Sequence, residues 1–457
     1  MMLDVINPAT ETLIERIPTD DAASVASKFA AARAAQPAWA ARPYGERAKI
    51  VERFRGLLAE RKETLAHILT SEVGKPLSQA RNELNGTLAR LEFFLAETPA
   101  RLRDLIVHYD PQMTERVGHE PLGVVTNISA WNYPYFVGGN VFIPALLTGN
   151  AVVYKPSEFA SLTGRAIAGL WHDAGLPPGL FQCLIGGATT GQALLAQPAG
   201  GVFFTGSYAT GRKIMDAVAG RMIRVQCELG GKDPVYVRGD VAPEAAAEST
   251  ADGAFYNAGQ SCCAVERLYV HASIYDRFVE HFVKFTQALK SGDPLAEGTY
   301  LGPLTRPAQR DVLEAQIRDA VSKGAKVLTG GKRVSGKGAY FAPTVLVDVN
   351  HSMDLMREES FGPVIGIQKV QDDAEAVRLM NDTEYGLTAG VYTRDGAAAT
   401  AILSQVNAGT VYWNCCDRVS PRLPWAGRGH SGVGVTLSVF GIDAFVRTKA
   451  WHMRAPA

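Results

Sequence analysis

Between residues 46 and 70 the apolar positions Ile50, Val51, Phe54, Leu57, Leu58, Leu65, Ile68 and Leu69 recur at close to helical period. That spacing predicts one long amphipathic helix. Similar patterns predict helices over 20–36 and 77–94. The segment 105–120 instead carries Leu105-Ile106-Val107 and Thr114–Val117 on either side of an Asp-Pro turn, which predicts a β-hairpin with little core of its own. It reads equally as a surface hairpin and as an arm for subunit contact.

From Gly123 the pattern becomes short apolar runs alternating with helical stretches. Strands are predicted at 123–128, 151–154, 181–185, 201–204 and 223–227, with helices at 137–147, 162–174, 190–196 and 209–219. Repeated βα units imply a parallel, doubly wound sheet, whose ligands sit beyond the carboxyl ends of its strands. A second series follows: a strand at 235–237, a helix at 243–257, a strand at 265–271 and a helix at 274–289. Further strands are predicted at 326–328, 344–347, 364–369, 389–392 and 409–413. The fold class is α/β. The flexible pair Gly230-Gly231 marks the junction between the two series.

The chain has 457 residues, enough for two or more domains. Lys+Arg and Asp+Glu both number 46, so no charge excess points to nucleic acid or an anionic membrane. No apolar run is long enough to span a bilayer. The first residues carry acids and a proline where a signal peptide needs a basic start and an apolar core, so a cytoplasmic protein is expected. Six cysteines include the adjacent pairs Cys262-Cys263 and Cys415-Cys416. Adjacent cysteines suit neither disulfide geometry nor the spacing of zinc ligands, so no metal is expected.

The chemistry concentrates in a few stretches. FYNAGQSCCAVER, residues 255–267, places two thiols behind a Gly-Gln turn before an apolar run. A thiol there can be held rigidly and still face a cleft, and Cys262 reads as a nucleophile. Lys155-Pro156-Ser157-Glu158 follows a strand, where a lysine and a carboxylate can hold a ribose and repel a 2′-phosphate, favouring NAD over NADP. It reads also as a solvated Pro turn. Phe204-Thr205-Gly206-Ser207 precedes a helix start and suits a diphosphate, as Gly186-Gly187 with Gly191 does one unit earlier. Both also read as plain turns, and no G-x-G-x-x-G follows a strand here. Glu228 ends a strand beside the Gly-Gly pair, as a mobile general base or as the partner of Lys232. Asn132, in Trp131-Asn132-Tyr133-Pro134, offers an amide to an oxyanion, or belongs to an aromatic core turn.

These stretches together resemble the aldehyde dehydrogenase superfamily, in its non-acylating branch. Glu359-Ser360-Phe361-Gly362-Pro363, Pro424-Trp425-Ala426-Gly427 and Ser431-Gly432-Val433-Gly434 extend the match in the family's order, over nearly the whole chain. The resemblance implies a Rossmann-type cofactor domain lacking the usual glycine signature (residues 1–104 and 122–230), a catalytic domain (231–430) and an oligomerisation arm (105–121 and 442–457). It makes Cys262, not Cys263, the nucleophile, with Asn132 and the Cys262 N–H as oxyanion hole and Glu228 as base. Trp131, Lys155, Ser157, Glu158, Gly191, Phe204, Gly206, Ser207, Glu359 and Phe361 would hold NAD. Tyr133, Phe136, Tyr256, Ser261, Cys263, Arg418 and Trp425 would line the substrate tunnel, with Asn140, Asp417 and Val419. Asn140 stands where many relatives carry a large aromatic, so a wider or more polar tunnel is expected. Arg418 and Arg422 read either as binders of a carboxylate-bearing aldehyde such as a semialdehyde or as surface arginines on a loop, the commoner outcome. The implied reaction is oxidation of a small aldehyde to its acid through a thiohemiacetal and a thioester, in a homodimer or homotetramer. A CoA-acylating enzyme and a non-catalytic relative are the alternatives.

Overall fold

A computed structural model describes residues 1–456. Two sheets organise the chain. The first has six strands, in the order Gly432–Val433, Arg224–Glu228, Gly201–Thr205, Val124–Ile128, Ala151–Lys155 and Phe181–Cys183. All neighbours are parallel except the edge strand Gly432–Val433, which runs antiparallel to Arg224–Glu228. The second has seven strands, in the order Lys326–Thr329, Thr344–Val347, Val364–Val370, Arg267–His271, Pro234–Val237, Thr388–Tyr392 and Thr410–Trp413. Only its edge strand Lys326–Thr329 is antiparallel.

Helices cover both faces of each sheet, so the central strands are buried along their length rather than at alternate residues. Every residue of Ala151–Lys155 and of Val124–Ile128 is buried. Each sheet has its own large apolar core. In the first, Phe54 stacks on Trp171 with ring centroids 3.8 Å apart, and Phe142 meets both rings edge-on. The hairpin Leu105–Tyr109 with Met113–Pro121 gains a third strand, Val446–Arg454, from the C-terminal end. Among the described residues no helix is long and apolar enough to cross a membrane.

Three features depart from the sequence pattern. The helix expected over 46–70 is two helices, Tyr44–Glu60 and Lys62–Val73, because Arg61 leaves helical geometry (φ −95°, ψ 14°). The break lets the second helix re-aim Leu65 and Leu69 into the core, and Arg61 pairs with Asp173 at 2.5 Å. The next helix runs to Arg101, through Pro99. A proline there cannot bond to the carbonyl four residues back, and the Tyr44 hydroxyl donates to that Leu95 oxygen at 2.8 Å instead. An N-terminal hairpin, Met2–Ile6 with Leu13–Pro18, covers a small satellite cluster through Val5 and Ile17.

Phe54→Ala is expected to cost about 3–5 kcal/mol, because it empties the centre of the aromatic stack. Equilibrium unfolding in urea measures this, and a cost below about 1 kcal/mol would contradict the packing described.

Candidate active site

Cys262 follows the helix Pro243–Phe255 across a left-handed turn. Asn257 (φ 52°), Ala258 (φ 54°) and Gly259 (φ 70°) all have positive φ. For the two non-glycine residues this costs roughly 1–2 kcal/mol each, so other contacts must impose it. The Gln79 side chain accepts from Asn257 N at 2.9 Å. Gln260 donates its amide to Asn257 O at 3.1 Å and accepts from Thr305 N at 2.9 Å. At Gly259 an added Cβ would overlap Gly362 O, so only glycine fits.

This turn also fixes Asn132, whose Nδ2 donates to Gln260 O at 3.2 Å. The amide thus lies beside the segment that carries Cys262. Both Cys262 and Glu228 line one cavity of about 430 Å³. Tyr133, Phe136, Asn140, Tyr256, Ser261, Cys263, Asp417, Arg418, Val419 and Trp425 line it too. Arg422 does not; it lies in a separate groove with Pro421 and Leu423. Sequence reasoning missed Gln79, Asn82, Glu83, Arg90 and Asp252, which complete the wall. Most of them come from the helix Leu77–Arg101, where they read as the ordinary polar positions of an amphipathic helix.

The two neighbouring thiols differ sharply. Cys263 is buried and donates its S–H to Asp417 Oδ1 at 2.9 Å. Contact with Cys262, burial and the Asp417 carboxylate hold the Cys263 thiol well above its ordinary range, which keeps it a poor nucleophile. Cys262 is only partly buried and faces the cavity. All six cysteines are free.

Glu228 is the last residue of its strand and is buried. Burial pushes its carboxyl up to about 7, opposed by hydrogen bonds from Thr436 and Gln226 and by the charge of Arg90. Lys232 is not its partner. The Lys232 ammonium is fully buried and pairs with Glu266 at 2.6 Å. The same Glu266 carboxylate accepts from Ser360 N and Phe361 N, each at 3.1 Å, and so holds the turn that carries Glu359 and Phe361. The glycine pair next to Glu228 serves close packing: a Cβ on Gly230 would overlap Glu359, and one on Gly231 would lie 2.6 Å from Cys262 O.

On the far side of Glu228 lies a second constellation. Gly206 N donates to the Glu228 backbone oxygen at 3.0 Å. Ser207 then opens the helix Tyr208–Val218, and a Cβ at Gly206 would press to 2.5 Å from the Phe204 ring. Lys155 is buried, with Nζ donating to Pro156 O at 3.0 Å and lying 4.0 Å from Glu158. Ser157 caps the turn beginning at Glu158. Gly191 packs beside the Lys155 stem. Trp131 and Phe361 meet edge-to-face at 5.6 Å. Glu359 accepts from Gly231 N at 3.0 Å and is pushed up to about 8 by burial and by Glu266. The helix start and the close-packed glycines fit a dinucleotide, whose diphosphate would meet the N–H groups of that first turn. Among the described residues no group of three or more His, Cys, Asp or Glu side chains is placed to hold a metal ion.

A family model for the aldehyde dehydrogenase family matches residues 1–451. This chain belongs to that family. The aldehyde dehydrogenase is 39% identical over 458 residues to a 3,6-anhydro-alpha-L-galactose dehydrogenase of Streptomyces coelicolor, covering 99% of this chain and 93% of that protein. It is 35% identical to a lactaldehyde dehydrogenase of Escherichia coli, covering 99% and 95%. A crystal structure of Escherichia coli lactaldehyde dehydrogenase superposes with a TM-score of 0.96, covering 100% of this chain and 96% of that one. An Escherichia coli NADP-dependent enzyme matches with a TM-score of 0.97 at 33% identity, covering 100% and 95%.

Gly259→Ala in this aldehyde dehydrogenase is expected to lower kcat/KM by at least about tenfold, because the turn must shift and carry Cys262 with it. Steady-state rates against wild type measure this, and unchanged rates would contradict the constraint assigned to Gly259.

Proposed function

We propose that this enzyme oxidises a small aldehyde to its carboxylic acid with NAD, using Cys262 as nucleophile, Asn132 as oxyanion donor and Glu228 as base. The reading rests above all on one observation: Cys262 and Glu228 share a cavity beside which Asn132 is locked. Cys262 Sγ, as thiolate, attacks the carbonyl carbon to give a thiohemiacetal. Its oxyanion is stabilised by Asn132 Nδ2 and the Cys262 N–H, an effect of order 3 kcal/mol for such donors. NAD, held by the residues assigned below, would supply the hydride acceptor, and transfer of the aldehyde hydrogen to it would leave a thioester on Cys262. Glu228 takes a proton from water as that water adds to the thioester carbon. The C–S bond then breaks, releasing the acid and freeing the thiol.

Lys155, Glu158 and Ser157 are assigned to the adenine ribose, and Phe204, Gly206, Ser207 and Gly191 to the diphosphate region. Trp131, Glu359 and Phe361 are assigned to the nicotinamide side. Glu158 is the group that favours NAD, since its carboxylate would repel a 2′-phosphate. Residues 1–104 and 122–230 then form the cofactor domain and 231–430 the catalytic domain. The segments 105–121 and 442–457 form a β-arm that joins subunits of a homodimer or homotetramer in the cytoplasm. Its strand Leu105–Tyr109 exposes Leu105, Ile106, Val107 and Tyr109, which supports burial against another copy. A CoA-acylating reaction fits less well, because a water-activating base beside Cys262 would hydrolyse the thioester before CoA arrived. Arg418 sits exposed at the cavity mouth and Arg422 lies outside the cavity, so a semialdehyde carboxylate finds little buried support from either.

Acid release is expected to rise with pH through about 7, because Glu228 acts only when deprotonated. Glu228→Gln should remove that step and lower kcat by about 10²–10⁴-fold; a wild-type pH profile in the variant would contradict the assignment. Glu158→Ala should raise kcat/KM for NADP relative to NAD, and an unchanged ratio would remove Glu158 from cofactor selection. Both are read from NAD(P)H absorbance.

A further inference from the structure

The cavity beside Cys262 is lined by a buried cation that makes no ion pair among the described residues. Arg90, on the helix Leu77–Arg101, is 4% exposed and lines the cavity. The buried ammonium groups nearby are paired, Lys75 with Glu83 and Lys232 with Glu266. Arg90 makes no ion pair among the described residues, although leaving a desolvated charge unpaired is costly. It is nonetheless held firmly. Its Nε donates to Asn140 Oδ1 at 3.1 Å, its Nη1 donates to Gly86 O at 3.1 Å, and the guanidinium lies 3.7 Å over the Phe136 ring. Nη2 and the Asn140 Nδ2 are left with no acceptor among the described residues. Burial lowers Arg90 only to about 10, with Glu83, Glu228 and Cys263 opposing, so it stays a cation at neutral pH. Arg90 and Asn140 line the same cavity as Cys262 and Glu228.

We propose that Arg90 and Asn140 form a substrate subsite that grips an oxygen carried close to the aldehyde carbon, and that the substrate class is a short, neutral hydroxyaldehyde. The charges on the other walls decide among the candidates. Asp252 and Asp417 line the same cavity and offer acceptors. A substrate carboxylate would satisfy Arg90 but would face Glu228, Asp252 and Asp417. A substrate ammonium would suit the aspartates but would meet Arg90 and Arg418. An alkyl chain would leave Arg90 unpaired. A hydroxyl accepts from Arg90 or Asn140, donates to an aspartate and adds no charge. Asn140 serves twice here: its carbonyl fixes the guanidinium and its amide adds a second donor.

The proposal rests on the aldehyde-oxidising reading and deepens it. The test compares 2-hydroxypropanal with propanal, which differ by the hydroxyl alone, and adds succinic semialdehyde and 3-aminopropanal as charged probes. Wild type should prefer the hydroxyaldehyde by roughly 10–100-fold in kcat/KM, the range for a hydrogen bond to a charged group. That ratio should fall at least about tenfold in Arg90→Gln and also in Asn140→Leu, which keeps the buried arginine should the first variant fold poorly. A merely structural role would lower both rates and leave their ratio alone. A wild-type ratio near one, or a ratio that survives in a folded variant, overturns the subsite. A preference for the semialdehyde or the amine that depends on Arg90 overturns the assigned class. No NADH from any of the four aldehydes overturns the underlying reaction, and the proposal with it.

Discussion

Everything at the site hangs on the left-handed turn Asn257-Ala258-Gly259. Two residues with a Cβ stand where glycine is favoured, and the third stands where nothing larger fits. The strain persists because the Gln79 side chain accepts from Asn257 N, while the Gln260 side chain, itself held by Thr305 N, donates to Asn257 O. The reward is placement: the turn sets Cys262 at the cavity wall and, through Gln260 O, sets the Asn132 amide beside it. The proposed nucleophile and oxyanion donor are therefore positioned by one hydrogen-bonded unit, before any substrate arrives.

Around that unit, environment assigns different work to chemically equal groups. Cys263 is tied to Asp417 and kept as a thiol, while Cys262 faces open space. Glu266 is consumed by Lys232 and two backbone N–H groups, and serves as a strut. Glu228 has neutral hydrogen-bond partners and makes no ion pair among the described residues, so burial brings it to about 7, the range the proposed base needs. Its backbone oxygen meanwhile receives Gly206 N, tying the proposed base to the turn assigned to the diphosphate.

The alternating βα pattern was legible because parallel strands buried on both faces read as short apolar runs, as residues 151–154 do. The motif residues were legible because turns that bring chemistry to strand ends carry unusual local sequences, such as Gly-Gln-Ser-Cys-Cys. What was hidden is long-range. Arg90 looks like any polar position on an amphipathic helix, and only the fold brings it to Asn140, 50 residues away, inside the cavity. The Lys232–Glu266 pair could not be told from a Lys232–Glu228 pair by spacing, since both place a carboxylate within reach. The break at Arg61 carries no Gly or Pro signal, and the third strand of the arm comes from the opposite end of the chain.

The most direct test of the central claim is to trap the acyl enzyme. Glu228→Gln protein mixed with NAD and an oxidisable aldehyde should release a burst of about one NADH per active site and then stall, because the thioester forms but is not hydrolysed. Mass spectrometry of the quenched, digested protein should place the acyl group on Cys262. An acyl group on Cys263, or steady turnover with no adduct on Cys262, would contradict the account.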